Sequence, residues 1–272
     1  MSVGVEMHPF EAAIALEPGA DGEWLGRTSP AYANFIGPFG GVTAAQILQG
    51  VMRHPQRLGE PVALTVNYAA ALADGEFVVR ARPARTNRST QHWIVEVLQG
   101  DETVITATCF TAARRETWAG HETVMPEVPR PADVPPTPRP GVEWLKRYDM
   151  RFFEGLVPRK WEGQGADQSR TRLWVREEPP RPLDFPALAA MSDIFFPRIW
   201  LRRATQTPIG TVTMTIYFHA DSAQLGATGT SFLLAQAQGQ GFRNGYFDHA
   251  GHLWNEAGEL LVSTHQVVYY KE

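Results

Sequence analysis

Apolar and polar residues alternate through the last stretch of the chain, Leu260-Leu261-Val262-Ser263-Thr264-His265-Gln266-Val267-Val268-Tyr269-Tyr270, and predict a buried C-terminal strand. One polar amide, Gln266, stands where a strand of this composition should bury an apolar side chain. A similar stretch, Thr103 to Phe110, lies in the first half, and laid on it Gln266 falls on Phe110. Upstream, Ile36-Gly37-Pro38-Phe39-Gly40-Gly41 opens a segment running to Met52 in which Ala44, Ile47, Leu48 and Val51 share one helical face. Four strand-like segments follow: Pro61 to Ala70, Glu76 to Arg85, Gln91 to Leu98 and Thr103 to Ala112, punctuated by Gly75 and by Gln99-Gly100-Asp101. Glu23 to Arg27 reads as a short first strand entered through an Asp21-Gly22 turn. One helix followed by a run of strands is an α+β pattern with an antiparallel sheet.

The order then recurs. Met125 to Pro140 carries seven prolines, which cannot donate to a ladder and favour extended geometry. Beyond it Arg147 to Gly155 and Arg172 to Arg176 read as strands. Asp184 is placed to cap a helix that runs to Phe196 and stops at Pro197. Strands are expected at Thr211 to His219, Thr230 to Gln238, Gly245 to Trp254 and Glu259 to Tyr270. Leu64-Thr65-Val66-Asn67-Tyr68 matches Met214-Thr215-Ile216-Tyr217-Phe218, and Asn255 to Gly258 matches the earlier turn. The repeat of helix and four strands implies a duplication, divided as residues 1–118, a linker at 119–141, and 142–272.

Composition narrows the partners. A net charge of −4 offers no field for nucleic acid. Cys109 is the single cysteine, so no intrachain disulfide forms and a reducing compartment, the cytoplasm, is expected. Residues 1–20 carry acids and no long apolar run, so no signal peptide is expected, and no stretch approaches the roughly 20 apolar residues of a membrane span.

Among candidate chemistries, Cys-x-x-Cys, His-Glu-x-x-His and the Gly-x-Ser-x-Gly elbow are missing, and Gly239 to Gly245 reads as a bend between strands rather than a phosphate loop. Three polar residues distinguish the second half. Gln266 replaces Phe110, Thr211 replaces Pro61, and Asp193 stands late in the second helix where the first helix has no acid. A carboxylate, a hydroxyl and an amide can together hold and activate a water beside a carbonyl. His265 points away from Gln266 by strand alternation, and His219 sits at a strand end. Trp93, Trp200, Phe195, Phe196 and Tyr217 fill a core or line a pocket.

Gly37-Pro38-Phe39-Gly40-Gly41, Met191-Ser192-Asp193, Thr211 to His219 and Gly258 to Gln266, in that order, resemble the acyl-CoA thioesterase II family, the TesB-like double-hotdog proteins. The resemblance implies two tandem hotdog modules, each an antiparallel sheet wrapped around a helix. It implies hydrolysis of an acyl-CoA thioester by water without metal, cofactor or covalent intermediate. The family's Asp, Thr or Ser, and Gln fall on Asp193, Thr211 and Gln266. It also implies a homo-oligomer. The Gly40 and Gly41 backbone either makes a tight turn or faces substrate, and Arg85, Arg88, Arg202, Arg203 and Arg243 are candidates for the CoA phosphates. A non-catalytic acyl-CoA or lipid-binding module and a hotdog hydratase or dehydratase are the competing readings. No His lies in either helix core for the hydratase chemistry.

Overall fold

The computed structural model describes residues 7–20, 22–139, 141–158 and 160–272; the expected turn at Asp21 and the linker end at Pro140 fall outside them. Its strands are β1 (Glu17–Pro18), β2 (Glu23–Arg27), β3 (Glu60–Tyr68), β4 (Glu76–Thr86), β5 (Thr90–Gln99), β6 (Glu102–Ala112), β7 (Tyr148–Glu154), β8 (Thr171–Glu177), β9 (Ile209–Phe218), β10 (Leu233–Arg243), β11 (Tyr246–Asn255) and β12 (Leu260–Tyr270). The helices are α1 (Pro9–Ala13), α2 (Gly40–Met52), α3 (Phe185–Met191), α4 (Arg198–Arg203) and α5 (Ser222–Thr228).

All twelve strands form one sheet in the order β1-β2-β4-β5-β6-β3-β9-β12-β11-β10-β8-β7, with every pairing antiparallel. The order reads as one six-strand pattern meeting its own mirror at β3 and β9. The two halves are therefore hotdog modules joined edge to edge, with Thr65 and Thr215 directly opposite at the join and their hydroxyls 3.1 Å apart. Inward residues of both halves pack on α2 and α3 in one continuous core that includes Ile47, Leu48, Leu188, Leu64, Val95, Ile216 and Leu253.

The register corrects the expected match of the halves. Leu64 pairs with Cys109, and its counterpart Met214 pairs with Gln266. Gln266 therefore corresponds to Cys109, one residue before Phe110. Cys109 is buried, whereas Phe110 points to the outer face, where its ring lies 4.7 Å from that of His92. Phe110 does not fill the second half's amide position, and its truncation would open no cavity in the main core. The match of Thr211 with Pro61 stands. Both sit at bulges, Pro61 opposite Thr111 and Thr211 opposite Val268.

The second helix also differs from the expectation. Asp184 caps it, accepting from the Ala187 N–H at 2.8 Å. The helix ends at Met191 rather than Phe196. Ser192 turns its hydroxyl back to the Leu188 carbonyl at 2.9 Å, and Phe196 precedes a proline, which disfavours helical geometry. Asp193 thus stands just past the helix. α5 is a further helix that apolar periodicity does not indicate, and Asp221 and Gln224 form a capping box at its start.

The proline-rich segment crosses the outer face of the second half. Met125, Val128 and Val134 pack on Trp174, Leu234, Trp254 and Leu260, and the Trp174 indole donates to the Pro129 carbonyl at 2.7 Å. On the first half, Leu25 occupies the position of Trp174 and is largely exposed. Trp174→Ala should lower stability by about 3–5 kcal/mol through the cavity left under the strap. Limited proteolysis should then cut within 119–139 faster than in the parent protein, while an unchanged melting temperature would contradict this role.

Candidate functional site

The start of α2 lies against the end of α3, and the approach is set by two residues without side chains. A Cβ on Gly41 would lie 2.4 Å from the Ala190 carbonyl oxygen, and one on Gly40 would lie 2.8 Å from Asp193 Oδ2. Any larger residue would push the start of α2 away from the end of α3. The Asp193 carboxylate consequently lies against the first turn of a thirteen-residue helix, where unbonded N–H groups and the helix dipole favour negative charge.

Gln266 completes the contact from the sheet. It is 3% exposed, and its Nε2 donates to Asp193 Oδ1 at 2.7 Å and approaches Met214 Sδ at 3.3 Å. An ionised carboxylate only accepts, so the amide must present its NH₂ to Asp193. Thr211 comes to the same face by way of its bulge. Its partner Val268 lies two residues beyond Gln266, so both point inward. The Thr211 hydroxyl bonds neither Asp193 nor Gln266 among the described residues.

Tyr68, at the end of β3, is a member that sequence reasoning missed. Its hydroxyl donates to the Gly40 carbonyl at 2.9 Å, and burial together with the Asp193 charge keeps it protonated far above neutral pH. A tyrosine ending a strand reads as ordinary core; only its matched partner, Phe218, which lacks the hydroxyl, distinguishes it.

The cations divide between two ends of the sheet. Arg243 ends β10 and is level, through Tyr246 and Tyr269, with Gly210. Arg202 and Arg203 are in α4, which packs beside β10 and β11, with Arg202 stacked 5.9 Å over Phe242. Arg85 and Arg88 flank the β4–β5 turn, level with Ala112 and Glu60 at the opposite end. The fold does not bring Arg88 together with Asp193 and Thr211. No group of His, Cys, Asp or Glu among the described residues has the arrangement of a metal site.

Burial dominates the carboxylate's titration and raises Asp193 to about 7, against the lowering by Gln266 and by the Gly41 N–H. Between the unfolded value near 4 and about 7, the folded state holds the extra proton. Stability therefore falls as pH rises through that window. Asp193→Asn is neutral throughout, so its melting temperature should gain on the parent's between pH 4.5 and pH 8, on the order of 5 °C. A difference independent of pH would show that Asp193 titrates as an ordinary surface acid.

A family model described as the acyl-CoA thioesterase C-terminal domain matches residues 125–270, and one described as the N-terminal domain matches residues 29–112. No curated protein sequence matches the chain. Among solved structures, a conserved hot dog fold protein of unknown function from Alicyclobacillus acidocaldarius is 44% identical, with 98% of this chain and 99% of that one covered at a TM-score of 0.92. A putative thioesterase II from Thermobifida fusca YX is 16% identical over 98% and 99% of the two chains, with a TM-score of 0.80. The acyl-CoA thioesterase II TesB2 from Mycobacterium marinum is 19% identical over 96% and 98%, with a TM-score of 0.76, and these last two likenesses speak for the fold. With both domain models matched in order across most of its length, the chain belongs to the acyl-CoA thioesterase family.

Proposed function

We propose that the chain hydrolyses an acyl-CoA thioester to the free acid and CoA, with Asp193 as the general base that takes a proton from the attacking water. The observation that carries this reading is the 2.7 Å contact of Gln266 with Asp193 at the α2 N-terminus, in one half only. The matched position of Gln266 in the first half is Cys109, and α2 contains no acid. A base near pKa 7 is matched to proton transfer at neutral pH. Gln266 orients the carboxylate, Thr211 offers a hydroxyl to the same water, and a first-turn N–H of α2 not used by Asp193 would hold the developing oxyanion. The carbon–sulfur bond breaks as the tetrahedral adduct collapses, and the thiolate leaves as CoA.

Release of free thiol from a panel of acyl-CoAs tests the reading. Asp193→Asn should lower kcat by about 10²–10⁴ with the fold intact, and Gln266→Ala by roughly 10–10³. Below pH 7 the parent's kcat should decline as Asp193 takes up its proton. Undiminished kcat in folded Asp193→Asn protein would remove Asp193 from the mechanism.

Arg202, Arg203 and Arg243 are proposed to meet the CoA phosphates, because they share the Thr211 end of the second half. Reversing the charge of all three should raise KM about tenfold or more for CoA esters, and less for a short thioester lacking the nucleotide. Equal effects on both would exclude a phosphate contact.

A further inference from the structure

Matching the halves residue by residue exposes a second difference beside the candidate site. Trp93 of β5 pairs with Cys109, and His249 of β11 pairs with Gln266, so Trp93 and His249 correspond. By the same registers Val95 corresponds to Gly251, Ala107 to Thr264 and Thr111 to Val268. In the first half the Trp93 indole is satisfied, donating to Thr111 Oγ1 at 3.1 Å. In the second half that acceptor has become Val268.

His249 is 2% exposed, and neither ring nitrogen has a hydrogen-bond partner; the buried Thr264 Oγ1 has none either. Buried polar atoms in folded proteins are nearly always bonded. Here two adjacent residues of one half's interior are not, and the counterparts of both in the other half are either bonded or apolar. Burial and the nearby Arg198 pull the imidazole down to about 3, so it stays neutral with one donor and one acceptor. Arg198 is itself wholly buried and bonds only carbonyls and the Thr171 hydroxyl, which leaves a positive potential that favours an electron-rich oxygen.

The two orphaned groups share the face of Gln266. His249 lies directly opposite it and Thr264 two residues before it. Gly251, between them, has no side chain, and the place of one is taken by Thr264 Cγ2 and the Phe195 ring. A Cβ there would lie 2.9 Å from Thr264 Cγ2 and 3.1 Å from Phe195 Cε2. The cover is the Phe195 ring, 5.8 Å from that of His249, on the non-helical segment that begins at Asp193.

We propose that His249 and Thr264 seat an oxygen of the acyl group, so that the favoured substrate carries a hydroxyl, oxo or carboxylate function close to its thioester carbonyl. The inference rests on the thioesterase reading for the position of that carbonyl. Facing residues of an antiparallel pair have Cβ atoms about 5 Å apart, which puts the oxygen near the third carbon of the acyl chain.

The test compares four-carbon esters of equal reach: butyryl-CoA against 3-hydroxybutyryl-, 3-oxobutyryl- and succinyl-CoA, with the parent protein, His249→Leu and Thr264→Val. The parent should favour at least one oxygenated ester over butyryl-CoA by about tenfold or more in kcat/KM. The ester that shows the preference identifies the oxygen. Thr264→Val keeps shape and fold, and it or folded His249→Leu should reduce that ratio about tenfold. Butyryl-CoA accepted as well as all three, or a ratio unmoved by both variants, overturns the proposal; the two residues then bind only water. Thioether analogues of the same esters, compared by their ratio of Kd, report the same preference even if no ester is hydrolysed. Failure of the seat and failure of the hydrolase are thereby distinguished.

Discussion

The join of β3 to β9 is the constraint on which the rest depends. Pairing Ala63 to Asn67 with Thr213 to Tyr217 makes two curved sheets into one, and only one relative position of the modules satisfies it. That position runs α2 and α3 past each other, and the glycines at Gly40 and Gly41 let them close. The carboxylate of one module is thereby delivered to the helix N-terminus of the other. The amide that holds it comes from β12, the strand next to the join. No single module contains the constellation.

A duplicated fold begins with two equivalent clefts, and here the chain has made them unlike by small changes at matched places. Pro61 against Thr211, Cys109 against Gln266, Trp93 against His249 and Val95 against Gly251 all lie on the inner face. At these matched places the first half is apolar or bonded, as the Trp93–Thr111 contact illustrates. The second carries buried polar atoms at the expense of stability, and shortens its helix so that Asp193 can leave the helical ladder. The outer faces diverge in the opposite sense, since the proline-rich strap covers the second half and leaves Leu25 on the first in solvent.

Much of this was legible from residue order alone. Alternation located the long strands, and a duplicated order of helix and strands gave the double hotdog. Asp193, Thr211 and Gln266 stand out in the sequence as polar differences between the halves, and the structure brings Asp193 and Gln266 into contact. What sequence could not supply was register. Two strands that both alternate can be matched at several offsets, and a one-residue slip turns every side chain to the other face. That slip put Phe110 in the place of Cys109, and without the register His249 has no assigned face. The paired bulges that resolve the offset are hydrogen-bonding features with no residue signature. The end of α3 depended on Ser192 turning back to Leu188, a local choice that apolar periodicity does not register.

On the general-base role proposed for Asp193, its electrostatics call for all these parts together. Burial alone would hold the carboxyl neutral and useless as a base. Exposure alone would leave it ionised near its ordinary value, too weakly basic to draw a proton from water at neutral pH. The Gln266 amide, the Gly41 N–H and the start of α2 each favour the anion, and desolvation exceeds them by enough to leave the group near 7. The same desolvation makes the carboxylate's two hydrogen-bond donors obligatory, because an ionised acid without them would be expelled or protonated. The close helix crossing therefore does two jobs at once. It strips much of the water from a carboxylate that stays partly exposed, and it supplies the backbone dipole that keeps a fraction of it charged.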